Sequence, residues 1–110
     1  MTWEILQKFI HEEDKRLRDM YHNYPDEEKR TYARMVKFME EAGEFSNEVL
    51  ASFAKQRNEK LNQHNKETLA HEFADVLITA LLVAQILNID VSQALDQKIK
   101  KIEQRHKQET

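Results

Sequence analysis

The chain has 110 residues, enough for one domain, and its composition excludes several classes of protein. Apolar residues make up 40% and charged residues 34%, which suits a globular domain with a core and excludes a disordered acidic tail. One glycine and one proline are too few for the tight turns of β-sandwiches and barrels, so an all-α fold is favoured.

Charge and cysteine content restrict the function further. The absence of cysteine excludes disulfides, Cys-ligated zinc and thiol nucleophiles, and it is compatible with a cytoplasmic location. A net charge of −3 argues against a nucleic-acid partner. The longest near-apolar run, Val76 to Leu87, is shorter than the roughly 20 residues that span a bilayer. We therefore expect a single cytoplasmic domain over 1–110 that binds neither nucleic acid nor membrane.

Two helices are predicted in the first half. The first begins at Trp3, with apolar residues three, four or seven apart, and ends at a break around Tyr24. Pro25 disfavours helix at the residue before it and can open the next helix. The second helix is predicted from about Asp26 to about Ala54. The polar stretch Lys55 to Lys66 is predicted as a surface connection, with room for frayed helix on both sides.

The second half predicts two more helices. The third covers about Thr68 to Leu87, and its second half is apolar on all sides. One small bundle cannot bury every face of such a helix, so we expect a central position and a partner chain, which Leu82→Asp should disrupt. Asp90 is the predicted N-cap of the fourth helix, with a glutamine three residues later to complete a capping box. The polar tail from 103 to 110 is expected to fray.

Four carboxylates interrupt the apolar parts of the second and third helices. Glu41 and Glu44 are three residues apart, as are Glu72 and Asp75, and residues three apart share a helix face. If the two helices pack antiparallel, all four can converge on one point. Desolvation and repulsion oppose that unless a divalent cation compensates. Mg²⁺, with Mn²⁺ as an alternative, suits an all-oxygen site that leaves positions for water and phosphate.

Simpler interpretations of these residues stay open. Each acidic pair is ordinary on a solvated helix face. Glu72 and Asp75 would also interact favourably with the helix dipole if they lay in the first turn. Gly43, between the acids of the second helix, either allows a ligand or backbone to approach closely or is a tolerated substitution. Three aromatic residues are expected in the core, with stacking on a nucleotide base as the alternative: Trp3, Phe38 and Phe45.

The acidic pattern resembles the E-E-x-x-E … E-x-x-D signature of the MazG-like all-α nucleoside triphosphate pyrophosphohydrolases. Glu40 to Glu44 matches the first half and Glu72 to Asp75 the second. The segment from Leu87 to Leu95 resembles the family's turn into its last helix. The resemblance covers about Val36 to Arg105, and it implies a four-helix bundle completed by oligomerisation, as a dimer or a dimer of dimers.

The resemblance also implies an activity. We expect such a chain to be a Mg²⁺-dependent hydrolase that splits a nucleoside triphosphate into a monophosphate and pyrophosphate, with house-cleaning of the nucleotide pool as the expected role. Glu40 and Glu41 would be the catalytic residues, Glu40 by supporting the metal site or orienting the attacking water. The implied metal ligands are Glu41, Glu44, Glu72 and Asp75.

A basic run on the last helix matches positions that face the phosphates in that family. Lys98, Lys101 and Arg105 would neutralise phosphate charge, although a solvated basic face near a helix C-terminus is the alternative. Ile102 and His106 depart from the Asn and Tyr that are common there.

Two other functions compete with this one. A phosphoribosyl-ATP pyrophosphohydrolase of histidine synthesis shares the acidic signature. A non-catalytic helical module for dimerisation or regulation would carry the same acids as solvated groups that bind no Mg²⁺. Metal uptake separates the enzymes from the non-catalytic module.

Overall fold

The computed structural model describes residues 1–20, 26–56 and 63–109, and over these residues it contains four α-helices and no strand. The all-α prediction is confirmed. The helices are α1 (Trp3–Met20), α2 (Glu27–Gln56), α3 (Gln63–Ile86) and α4 (Val91–Glu109). The predicted break at Tyr24 and Pro25, and the centre of the predicted polar connection at 57–62, lie outside the described residues.

A side-chain oxygen caps the N-terminus of three helices. Each accepts a hydrogen bond from a backbone N–H three residues later, which satisfies one of the amides that a helix start leaves unpaired. Asp26 caps α2, which begins at Glu27. The capping pairs are Thr2 with Ile5 (3.2 Å), Asp26 with Lys29 (2.8 Å) and Asp90 with Gln93 (3.0 Å).

The C-terminus of α3 is closed by an asparagine in the left-handed region. Asn88 has φ 57°, and its N–H donates to the carbonyl of Gln85 at 3.2 Å. The next N–H, of Ile89, donates to the carbonyl of Ala84 at 2.9 Å. This pair of bonds is the Schellman arrangement, which ends a helix sharply. The short turn into α4 follows from it.

The prediction of a frayed tail is wrong. Helix α4 continues to Glu109. The tail consists of Lys, Gln, Glu, Arg and His, most of which have good intrinsic helix propensity. Its last turn carries His106 and Lys107, and positive charge there is favourable to the helix dipole. Polarity alone therefore did not indicate loss of helix.

Helix α3 is central within one chain. It packs most extensively against α2 and also against α1, whereas α4 packs to a much smaller extent against any of them. Five apolar residues are buried in the described part of the chain, four in the last turns of α3 and one in α1. They are Ile10, Leu82, Val83, Ala84 and Ile86.

A buried ion pair fastens the three packed helices together. Asp14 of α1 and Arg34 of α2 are both buried, and Arg34 Nη1 lies 2.5 Å from Asp14 Oδ1. The same Nη1 donates to the carbonyl of Leu82 in α3 at 3.1 Å. Arg18 adds a second cation to Asp14, with Nε 3.1 Å from Oδ2. Asp14 and Arg34 therefore belong to the interior of the fold, with Arg18 at its edge.

By length and composition alone, the part of α3 from Lys66 to Ile86 could cross a membrane. It is longer than the run that the sequence analysis weighed, because α3 extends upstream of Val76. One such helix is weak support for a membrane protein, since the central helix of a bundle has the same composition. Here α3 packs against two other helices and carries Glu72 and Asp75. We therefore interpret it as the bundle's central helix.

One chain leaves much of its apolar surface uncovered. Its radius of gyration is 17.7 Å, whereas a compact chain of this length has about 13 Å. Large apolar side chains are exposed along α2, α3 and α4: Val36, Met39, Leu50, Phe53, Phe73, Leu77, Leu95, Ile99 and Ile102. A partner chain, expected from the sequence, would cover such surface.

Candidate functional site

Three carboxylates from α2 and α3 meet at one point. One oxygen atom from each of Glu41, Glu72 and Asp75 lies within 4.8 Å of the other two. Glu41 is buried, with 8% of its surface exposed, Glu72 is half-buried and Asp75 is exposed. We call these three residues the acidic trio. The packing of α2 against α3 thus brings together three of the four residues that the sequence pairs as metal ligands.

The position and burial of these acids test two simpler interpretations. Helix α3 begins at Gln63, so Glu72 and Asp75 lie well beyond the first turn, where the helix dipole favours acids. A solvated surface describes Asp75, which is exposed, but not Glu41, which is buried. The buried carboxylate of Glu41 therefore requires a source of compensation.

The unsatisfied groups of the trio fit a hard cation. Glu72 Oε2 is buried and has no hydrogen-bond partner among the described residues, and a buried oxygen without a partner is costly. Lys37 supplies one positive charge, with Nζ 3.0 Å from Glu41 Oε1, and that hydrogen bond is the main cause that raises the pKa of Lys37. One ammonium leaves three carboxylates undercompensated. All donors are oxygen, the ligand type that Mg²⁺ and Mn²⁺ prefer.

Glu44 and Glu40 lie at the edge of this cluster. Glu44 is exposed and is not one of the three converging residues. The negative charge of Glu41 is the main cause that raises the Glu44 pKa, and the charges of Glu40 and Glu72 add to it. Glu40 is exposed, with Oε1 3.8 Å from Lys37 Nζ. Both acids therefore lie in the electrostatic field of the trio without being part of it.

Aromatic packing holds α2 and α3 together beside the trio. The rings of Phe45 and Phe73 meet edge to face, with centroids 5.7 Å apart and planes at 62°. Such pairs contribute beyond their buried area. Phe45, Phe38 and Trp3 are each half-buried, which agrees with packing roles more than with free stacking surfaces.

The predicted phosphate-binding run lies elsewhere in a single chain. Lys98, Lys101 and Arg105 are exposed along α4, and α4 does not pack extensively against α2 or α3. Within the described residues, no ion pair joins this run to the acids of α2 and α3. One chain therefore does not bring the two halves of the predicted site together.

A second group of cations, which the sequence analysis did not single out, lies next to the trio. Arg30, Arg34 and Lys37 follow one another on α2 at steps of four and three, on the face that continues to Glu41. With Arg18 of α1 they line a cavity of about 290 Å³ between α1, α2 and α3. The helical spacing from position 30 to 41 was the signal that could have found them.

Comparison with protein families matches residues 30–110 to the MazG nucleotide pyrophosphohydrolase domain. The chain belongs to this family. The MazG match includes α3, α4 and all but the first three residues of α2, and with them both acidic pairs, whereas α1 precedes it. Comparisons with curated proteins and with solved structures gave no match. The family assignment confirms the resemblance and supports pyrophosphohydrolase activity in general.

Proposed function

We propose that this MazG chain is a Mg²⁺-dependent hydrolase that splits a nucleoside triphosphate into a monophosphate and pyrophosphate. The observation that carries the proposal is the buried Glu72 Oε2, which lies beside Glu41 and Asp75 and has no hydrogen-bond partner in the described part of the chain. A non-catalytic module gains nothing from placing an unsatisfied carboxylate there. The family match supports the same class of reaction.

The roles proposed for the acids follow from where they lie. Glu41, Glu72 and Asp75 would hold the ion, and Glu44 would join them from its exposed position as a fourth ligand. When bound, the cation neutralises phosphate charge and lowers the pKa of water. Glu40 would orient the attacking water and accept its proton. The water oxygen would form a bond to the α-phosphorus while the bond from that phosphorus to the α,β-bridging oxygen breaks, and pyrophosphate would leave with that oxygen.

The functional unit is proposed to contain more than one chain. A dimer or a dimer of dimers would cover the exposed apolar side chains of α2, α3 and α4. The phosphate role proposed for Lys98, Lys101 and Arg105 requires that assembly brings α4 to an acidic trio, because α4 does not pack extensively against α2 or α3 in one chain.

Calorimetric titration with Mg²⁺ and with Mn²⁺ tests the metal site. We expect the parent to take up the ion, and Glu72→Gln to weaken uptake by more than about tenfold, because a neutral amide replaces the unpartnered carboxylate. Glu41→Gln and Asp75→Asn should act in the same direction. Glu48→Gln removes the same charge from an exposed position of α2 and should leave uptake unchanged. A parent that binds neither ion would leave the non-catalytic module as the better interpretation.

A panel of ribo- and deoxyribonucleoside triphosphates, assayed for pyrophosphate release, tests the reaction. We expect hydrolysis that depends on added Mg²⁺ and that falls by at least about 100-fold in Glu72→Gln, since changes one shell further from a metal already cost about 10- to 100-fold. Phosphoribosyl-ATP belongs in the panel as the competing substrate. Release of orthophosphate in place of pyrophosphate would contradict the proposed reaction.

A further inference from the structure

The cavity beside the acidic trio has a strongly positive lining. Four cationic side chains of α1 and α2 face its volume of about 290 Å³, and Glu40 is the one acid among its described lining residues. Much of the remaining wall is apolar and comes from Leu17, Ala33, Val36 and Leu82. Charge interactions are stronger beside such a wall than in open water. The cations are Arg18, Arg30, Arg34 and Lys37.

These cations differ in whether they already have partners. Arg34 is bound to Asp14 and to the Leu82 carbonyl, and Arg18 is paired with Asp14 and Glu27. In the described part of the chain, Arg30 has no ion pair, and its Nε is buried without a hydrogen-bond partner. A buried donor without an acceptor loses the hydration that it had in the unfolded chain. Arg30 is therefore the side chain in this cavity that lacks an anion.

The cavity and the acidic trio are joined by one residue. Lys37 lines the cavity, and its Nζ lies 3.0 Å from Oε1 of Glu41, a member of the trio. A ligand that occupies the cavity therefore lies beside the trio. The two neighbouring sites have opposite needs, since Arg30 lacks an anion and Glu72 lacks a cation.

We propose that this cavity binds the terminal phosphate groups of the nucleoside triphosphate, and afterwards pyrophosphate, through Arg30 with Lys37 as the second cation. The inference rests on the proposed function. The planar guanidinium offers parallel N–H donors that match the oxygens of a phosphate group. The leaving group would then lie between α1, α2 and α3 of a single chain, separate from the basic run of α4.

Binding of inorganic pyrophosphate to the full chain in EDTA tests this subsite without any metal. We expect calorimetry to show binding by the parent, and at least tenfold weaker binding by Arg30→Gln, since the unpaired cation is lost. Arg30→Lys keeps the charge but loses the planar donors, so an intermediate affinity is expected. Lys29→Gln, which removes the same charge from an exposed neighbour, should stay within about twofold of the parent. Far-ultraviolet circular dichroism checks that each variant keeps its helices.

Several outcomes would overturn the proposal. One is pyrophosphate binding that is equal in the parent and Arg30→Gln, or absent in the parent at millimolar concentration. Another is adenosine binding that depends on Arg30 while pyrophosphate binding does not, because the cavity would then hold a nucleoside. A third is an unchanged KM for the triphosphate in Arg30→Gln, because the cavity would then bind only free phosphates.

The same measurements separate this subsite from the proposed function. Mg²⁺-dependent hydrolysis that Glu72→Gln abolishes and Arg30→Gln leaves unchanged would contradict the proposed subsite and support the proposed enzymatic function. Arg30-dependent pyrophosphate binding by a chain that hydrolyses no triphosphate would contradict the proposed enzymatic function and support an anion-binding site.

Discussion

The neighbouring carboxylates oppose ionisation of Glu44 when no metal is bound. The pKa of Glu44 is raised chiefly by Glu41, so folding penalises its ionised form. A carboxyl whose pKa is higher in the folded state makes stability fall as pH rises through its titration range. The penalty is absent below the unfolded pKa and fully present above the folded one. We therefore expect Glu44→Gln to raise the melting temperature of the metal-free protein at neutral pH.

Thermal melts at several pH values check this expectation. The stabilisation by Glu44→Gln should disappear when the pH falls below the ordinary carboxyl range, and it should reverse in saturating Mg²⁺ because a proposed ligand is lost. Glu48→Gln serves as the control, since Glu48 is an exposed acid of the same helix. Equal stabilisation by both variants would attribute the effect to net charge instead of the site.

The Asp14–Arg34 pair is a buried ion pair between α1 and α2. Asp14→Ala would leave Arg34 buried without its carboxylate. Breaking a buried pair on one side typically costs about 3–5 kcal/mol of unfolding free energy, and urea denaturation should show a loss of this size. Glu13→Ala removes only the surface pair with Arg16 and should cost less than about 1 kcal/mol. Similar losses for both variants would contradict the structural role of Arg34.

At the scale of helices, the sequence left two interpretations of Gly43 open, which are close approach of a ligand or backbone and a tolerated substitution. A methyl group added at Gly43 meets no atom within 4 Å, so this chain's own backbone does not require glycine there. Because Gly inside a helix is less favourable than Ala, Gly43→Ala should raise the unfolding free energy by about 1 kcal/mol. Urea denaturation measures that gain.

The activity of the same variant decides what Gly43 is for. If a ligand or a second chain approaches this position, Gly43→Ala should be more stable and yet slower in pyrophosphate release. An exposed alanine substitution elsewhere on α2, such as Ser46→Ala, should leave both activity and assembly unchanged. Full activity in Gly43→Ala would identify the glycine as a tolerated substitution.

The helices were predictable because their signals are local. Apolar periodicity indicated α1, α2 and α4, a long apolar run indicated α3, and the Asp90 cap lies where the sequence places it. The frayed tail was predicted wrongly, since polarity is compatible with a helix made of Lys, Glu and Gln. Asp14 and Arg34 are 20 residues apart and resemble solvated residues in the sequence. Only the packing of three helices shows that they are buried.

The candidate site was partly predictable for a related reason. The spacing of the acids indicates which of them share a helix face, and the structure brings Glu41, Glu72 and Asp75 together. The cavity around Arg30 was not predicted, because α1 forms part of its wall and its charges pair across helices. The relation of Lys98, Lys101 and Arg105 to the trio was beyond prediction from one chain, since helix periodicity carries no information about how α4 is placed.

At the scale of the whole molecule, one chain exposes too much surface to be a compact monomer. Its accessible surface is 8805 Å², about 2,400 Å² more than the roughly 6,400 Å² of a compact monomer of its mass. Such an excess is comparable to what a chain buries in an extensive obligate assembly. Leu82 is a poor test of that assembly, because it is buried within the single chain. Leu82→Asp should therefore unfold the chain before it separates subunits.

Ile99 on α4 is a sharper test of assembly. Its side chain is 55% exposed in one chain, so an aspartate there should leave each chain's core intact while it disfavours an apolar interface. We expect Ile99→Asp to lower the mass measured by light scattering while helix content is kept. Gln97→Asp introduces the same charge at an exposed position of α4 and should keep the parent's mass. An unchanged mass in Ile99→Asp would place the interface elsewhere.

The small interior of a single chain has a thermodynamic consequence. Only five apolar residues are buried among those whose burial the structure describes, so folding and association become one coupled equilibrium if subunits supply the missing contacts. Mass action then makes the midpoint of thermal denaturation rise with total protein concentration. Dilution alone would shift the population towards unfolded chains. The temperature range over which the protein stays folded would therefore depend on its own concentration.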